Sequence, residues 1–295
     1  MRRNLLFAGV AAGVFLTTLL HADCAKDNDH RSNKNSGLLI TDFIVSGTQM
    51  LSSTELNRIE GQLTGSCFDE SPEELEKRVR ALFQDRGYFG VVVKSFRIKP
   101  GDPLLLPKTV TLEAEVLEGT RYRLAEITFT GNHAFSAAKL RSAFPLSKGD
   151  LFGRDKIAGG LDGLRRLYAA DGFIDLMMIP DTENSSDLTI NLAVTVMEGP
   201  QYRMGKLEIL AKKEIADRLQ AEWQLPEGAV FDPTYVDRYI SENRPLLPLG
   251  FTRDAVQLVR NCPDSLVEVR LPLEADLTSQ SRPKDVECEP RDGSK

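Results

Sequence analysis

Histidine is scarce in this chain: three among 295 residues, at positions 21, 30 and 133. A histidine-rich metal centre therefore has too few ligands to draw on. A basic surplus is also missing, since 37 Lys and Arg stand against 43 Asp and Glu for a formal net charge of −6. That balance lacks the electrostatic footprint of a nucleic-acid binder. No apolar run is long; Leu5–Leu20 has 16 residues, short of the roughly 20 that a spanning helix needs. The four cysteines, Cys24, Cys67, Cys262 and Cys288, have no CxxC spacing. They are too few for a disulfide framework and do not form a zinc-binding pattern. What remains is ordinary globular composition, 41% hydrophobic and 27% charged, which excludes collagen, long disordered chains and polytopic membrane proteins.

Arg2 and Arg3 precede the apolar run, and a polar stretch follows it. That layout predicts an export signal over residues 1–22, ending at Ala22, and a polar linker over 23–37. Retention of the run as an anchor is the alternative. Cys24 lacks the small preceding residue of a lipidated cysteine, because Asp23 stands there. In an oxidising compartment Cys262 and Cys288 could pair and staple the tail; the other reading is free thiols, with Cys67 buried.

The chain repeats itself at a spacing of about 80 residues. Glu118-Gly119-Thr120-Arg121-Tyr122-Arg123 returns as Glu198-Gly199-Pro200-Gln201-Tyr202-Arg203. Before each lies a period-two run, Val110–Val116 and Leu188–Val196, and a third run covers Leu266–Leu273; alternation of this kind predicts strands with one buried face. Upstream, Leu82–Phe89 resembles Leu167–Ile174, with a weaker copy at Leu246–Phe251. In each, apolar residues close a last helical turn and Gly stops it. Helices are predicted from Ser71-Pro72-Glu73-Glu74, where a cap and capping-box Glu precede the stripe Leu75, Val79, Leu82 and Phe83. They are also predicted from the stripe Ile157, Leu161, Leu164 and Tyr168, and after Asp232-Pro233. Shorter helices at Ser53–Leu63, Ser136–Phe144 and Lys213–Trp223 follow opening strands at Leu39–Val45, Leu124–Thr130 and Met204–Leu210. The fold class is thus α+β: three β-α-α-β-β units, each a three-stranded mixed sheet covered by two helices. Their boundaries are 38–119, 120–200 and 201–275, with a polar tail over 276–295.

No catalytic, metal-binding or cofactor-binding residue is assigned. Asp150, Asp155 and Asp162 read as caps and solvated helix positions. His133 reads as a turn residue with no accompanying nucleophile. Gly159-Gly160 follows no strand and lacks phosphate-loop spacing; with Gly163 it predicts close helix–sheet packing.

The spacing set Ile127–Asn132 (with Gly131 and Asn132), Phe135-Ser136, Leu140, Gly149–Phe152, Leu164, Leu167-Tyr168, Gly172-Phe173 and Glu198-Gly199 resembles the POTRA repeat. Such repeats form the periplasmic arms of outer-membrane barrel assembly factors and two-partner secretion transporters. The resemblance extends over about residues 38–275 and makes Gly131, Asn132, Phe152, Tyr168, Gly172, Phe173, Glu198 and Gly199 structural. In that family a β-barrel follows the last repeat, whereas here only 20 residues follow Ala275, too few for a barrel. The resemblance implies a non-enzymatic periplasmic scaffold acting with a separately encoded outer-membrane barrel and binding unfolded or partly folded outer-membrane or secreted polypeptides. An inner-membrane-anchored interaction protein and a barrel-less relic are the alternatives. A sheet edge accepts extended peptide through its unpaired backbone groups. The expected edges are Phe89–Ile98, Phe173–Ile179 and Phe251–Arg260. The chosen docking edge is Phe173, Ile174, Asp175, Leu176, Met177, Met178 and Ile179, with Phe173, Asp175, Met177 and Ile179 on one face.

Overall fold

The computed structural model describes residues 38–274, apart from 69, 103, 105–107 and 185–186. The predicted export signal, linker and tail lie outside the described residues. The first repeat comprises β1 (Leu38–Ser46), α1 (Ser53–Glu60), the two-residue β2 (Cys67–Phe68), α2 (Pro72–Gln84), β3 (Val92–Pro100) and β4 (Thr109–Leu117). The second comprises β5 (Arg123–Thr130), α3 (Ala137–Arg141), α4 (Arg154–Ala170), β6 (Met177–Asn184) and β7 (Thr189–Met197). The third comprises β8 (Arg203–Leu210), α5 (Lys213–Glu222), α6 (Pro233–Glu242), β9 (Gln257–Asn261) and β10 (Leu266–Pro272).

Three mixed sheets result, ordered β2-β1-β4-β3, β5-β7-β6 and β8-β10-β9. In each, the closing strand is central, parallel to the opening strand and antiparallel to the strand before it. The alternation that predicts the closing strands is visible as burial: in β7, Ile190, Leu192, Val194 and Val196 are buried and the residues between them are not. Ser71 and Glu74 form the reciprocal cap of α2 at 3.2 and 3.1 Å, and Asp232 caps α6 through the Thr234 N–H at 2.9 Å. Both caps satisfy donors that a helix start leaves orphaned.

By packing, the chain divides into two compact units. One holds the described residues through Phe83 together with those of Gly90–Gly119; the other holds Gln84–Phe89 and the described residues from Thr120 onward. In the first unit Ile40, Phe43, Leu75, Val79, Phe83 and Leu112 are among the buried residues. The second unit has two cores, one around Leu124, Phe152, Leu164, Tyr168 and Leu192, the other around Tyr202, Phe231, Tyr239, Val267 and Leu271.

Two expectations need correction. The first sheet has four strands, because the loop after α1 backs onto the outer edge of β1. Ile40 donates to the Ser66 carbonyl at 3.0 Å and accepts from Gly65 at 2.8 Å. The same clamp holds Leu124 between Asp150 and Gly149, and Met204 between Ala229 and Gly228, but there it stays a single bridge. The free-thiol reading also fails: Cys67 is half-buried on β2 rather than sealed in a core, and Cys67 and Cys262 are both disulfide-bonded. The proposed Cys262–Cys288 pair involves Cys288, which lies outside the described residues.

Candidate docking edge

Helix α4 positions the site. Its last turn ends in paired bonds, Phe173 N–H to Tyr168 O and Gly172 N–H to Ala169 O, both at 3.0 Å. This is the Schellman stop, and it needs a left-handed residue at Gly172, whose φ is +82°. A Cβ there would lie 2.6 Å from the Tyr202 carbonyl, so Gly172 also permits the backbone of the third repeat to approach. Tyr202 donates its N–H to the Gly172 carbonyl at 2.8 Å. One repeat earlier Tyr122 donates to Gly87 at 3.0 Å in the same way.

The chain after Gly172 differs from the expected edge. Phe173–Leu176 lie outside the strand, with a turn at Ile174-Asp175, and the strand begins at Met177. The reason is packing on two cores at once. Phe173 and Leu176 pack on the core of the second repeat, whereas Ile174 packs on that of the third. Asp175 accepts from the Tyr202 hydroxyl at 2.6 Å and from Arg260 at 2.7 Å. An apolar run shared between two cores imitates a two-faced strand in the sequence. The same correction applies to the other edges, which start at Val92 and Gln257 rather than at Phe89 and Phe251.

Of the seven edge residues, Met177, Met178 and Ile179 therefore lie in β6. Met177 and Ile179 are 52% and 53% exposed on the face away from the helices, beside Met197 at 37%, which is the cross-strand partner of Met177. Met178 packs against the core. Among the described residues β6 pairs with β7 alone. The opposite edge of the sheet is partly closed by the Leu124 clamp.

Sequence reading missed Pro180, which stands in mid-strand opposite Val194. A proline in a strand was the available signal, because the missing N–H confines it to an edge with its nitrogen turned outward. Successive strand residues turn their backbone groups to opposite sides. Met178 and Thr182 therefore share the outward side with Pro180, and Met177, Ile179 and Asp181 turn toward β7.

The remaining motif residues hold the far end of the repeat. Gly131 has φ +77°, and a Cβ there would meet the Val196 carbonyl at 2.2 Å. Asn132 ties down the following loop through the Phe135 carbonyl at 2.9 Å. Glu198 collects the His133 and Ala134 N–H groups at 2.7 and 2.9 Å and the Tyr168 hydroxyl at 2.9 Å. Burial, reinforced by the Glu198 hydrogen bond and charge, pushes the Tyr168 hydroxyl far above its ordinary pKa, so it stays a donor. Tyr168 stacks edge-on with Phe135 and Phe173. Phe152 is buried and donates its N–H to the Tyr122 carbonyl at 3.0 Å, and Gly199 lies against Asp175.

An open groove of about 340 Å³ beside β5 is lined by Leu124–Ile127, Arg141 and Lys148. Its guanidinium is committed to the carbonyls of Phe144 and Leu146. Among the described residues no three His, Cys, Asp or Glu side chains gather as metal ligands, and no helix is long and apolar enough to cross a membrane.

Comparison with known proteins places this geometry. Residues 122–199 match the POTRA family model, described as a surface antigen variable number repeat. A putative outer membrane protein assembly factor of Treponema pallidum is 26% identical over 215 residues, covering 68% of this chain and 25% of that protein. The outer membrane protein assembly factor BamA of Neisseria meningitidis is 26% identical over 133 residues, covering 41% of this chain and 17% of that protein. The chain thus spans a quarter or less of the length of these two relatives. The crystal structure of POTRA repeats 3–5 of Haemophilus influenzae BamA has a TM-score of 0.56 at 18% identity, covering 79% of this chain and 94% of that one. That likeness carries the fold: tandem POTRA repeats.

Proposed function

From a chain of tandem POTRA-fold repeats, we propose an exported, non-catalytic docking module for outer-membrane protein assembly or secretion, which takes extended polypeptide by strand addition at β6. The relatives named as outer membrane assembly factors support the process. They also support a periplasmic place beside the outer membrane and clients that are unfolded or partly folded outer-membrane or secreted chains. An outer-membrane β-barrel as its working partner fits the same reading. The observation that carries the docking mode is the asymmetry of the second sheet. Its β5 edge is clamped by the chain's own loop, whereas β6 has its ladder on one side only among the described residues. Backbone pairing reads little sequence, which suits many clients, and the exposed Met177, Ile179 and Met197 add an adaptable apolar surface beside it.

The test follows from which amides face outward. Met178→Pro removes an outward donor, and Met178→Ala removes the side chain only. With both variants folded, the proline variant should lose binding of an unfolded outer-membrane polypeptide and the alanine variant should keep most of it. Equal loss in both would make the recognition one of side chains. Retention by the proline variant would remove β6 as the edge.

A further inference from the structure

Strand β6 is split into two unlike halves. Its first three residues, Met177–Ile179, are apolar, and its last four, Asp181–Asn184, are polar and exposed. Pro180 separates them. In the first repeat the matching position, opposite Ala114 as Pro180 is opposite Val194, is held by Phe96, which has a backbone N–H. The proline of β3, Pro100, stands at that strand's last position, where pairing ends in any case. The second sheet alone carries a mid-strand proline among the edges β3, β6 and β9.

A strand approaching β6 would find both backbone groups of Met178, the carbonyl of Pro180 without a donor, and both groups of Thr182. The pyrrolidine ring stands where the incoming carbonyl would otherwise accept its bond. We infer that Pro180 is a gate on the docking edge. It confines strand addition to the Met177–Ile179 end and prevents a continuous strand, whether a client's or that of a second copy of this chain, from pairing along the whole of β6. The inference rests on the reading of β6 as a strand-accepting edge.

The gate has a chemical consequence for the occupant. Only a short extended segment gains its full set of bonds, and its outward-facing side chain lies beside Met177, Ile179 and Met197, so an apolar residue is favoured there. Beyond the proline, Asp181 and Glu183 offer exposed carboxylates rather than apolar surface. A long amphipathic strand therefore earns no more from β6 than a short one and leaves readily. The same interruption protects an otherwise bare edge from pairing with its own copies.

The test compares the full-length protein with Pro180→Val, which restores the donor on a strand-favouring residue. Pro180→Ala serves as a second variant that makes no demand for space. The probe is a synthetic twelve-residue peptide of alternating Val and Thr, followed by amide exchange and by sedimentation of the protein alone. One recovered backbone bond corresponds to an affinity gain of about two- to tenfold. Both variants should show that gain, with new protection at residue 180 and at Thr182 and with increased self-association. If the wild type and both variants bind at β6 equally, with Thr182 protected in all, the gate is wrong and the docking edge stands. If none of them binds at β6 or self-associates through it, the docking edge and the gate fall together.

Discussion

One carboxylate closes the end of each of the first two repeats. Glu118 is 3% exposed and accepts the Gln49 N–H at 2.5 Å together with that of Met50. Glu198 does the same for His133 and Ala134. Burial pushes the Glu118 carboxyl up, but the backbone N–H groups of Met50, Glu118 itself, Gln49 and Leu51 together outweigh it and hold the pKa below the ordinary value. A carboxyl depressed on folding contributes stability that is present at neutral pH and lost as pH falls through the depressed pKa. Glu118→Gln should therefore cost the first unit about 1–3 kcal/mol at pH 7. The gap from wild type should close in acid, as read by denaturant unfolding across pH. The Glu-Gly pair is plain in the sequence as a repeated motif. What it holds is not, since its N–H partners lie 64 to 69 residues away. In the third repeat Leu210 pairs Pro272 as Thr130 pairs Thr195, and the position matching Glu198 is Ala275. There α5 starts at Lys213, three residues after β8 ends, which leaves only Ala211 and Lys212 between strand and helix.

At the scale of elements, periodicity located the opening strands, the closing strands and the helices to within a few residues, because each buries one face on one core. It failed at Phe173–Leu176, where one run serves two cores, and a period count cannot divide apolar residues between neighbours. It also misplaced the partner of the α4 glycines. Gly163 faces Ala143, and a Cβ on Gly160 would fall 2.1 Å from the Phe144 ring. The close approach is therefore between α4 and the chain just after α3, not between helix and sheet, and Gly159 faces open space. Gly160→Ala should destabilise by about 1–3 kcal/mol through overpacking, even though alanine favours a helix by about 1 kcal/mol. Gly159→Ala should be neutral or stabilising. Thermal unfolding of the two variants checks the contrast.

At the scale of the molecule, the second and third repeats share a compact unit, and Asp175 is a polar tie between them. Its side chain is 16% exposed and that of Arg260 27%, so the ion pair is screened far less than a surface pair. A double-mutant cycle of Asp175→Ala and Arg260→Ala should give a coupling of about 1–3 kcal/mol, and either change should let the third repeat unfold before the second. The matching position in the first repeat is Gly90, so the tie was invisible to a search for what the copies share. The central claim is that clients add to β6 through its outward backbone groups. It is tested most directly by residue-resolved amide exchange, with and without an unfolded outer-membrane polypeptide. The Met178 amide should become protected on binding, whereas Met177 and Ile179, already turned toward β7, should change little. Binding that leaves Met178 exchange unaltered, or that protects another strand instead, would contradict the account.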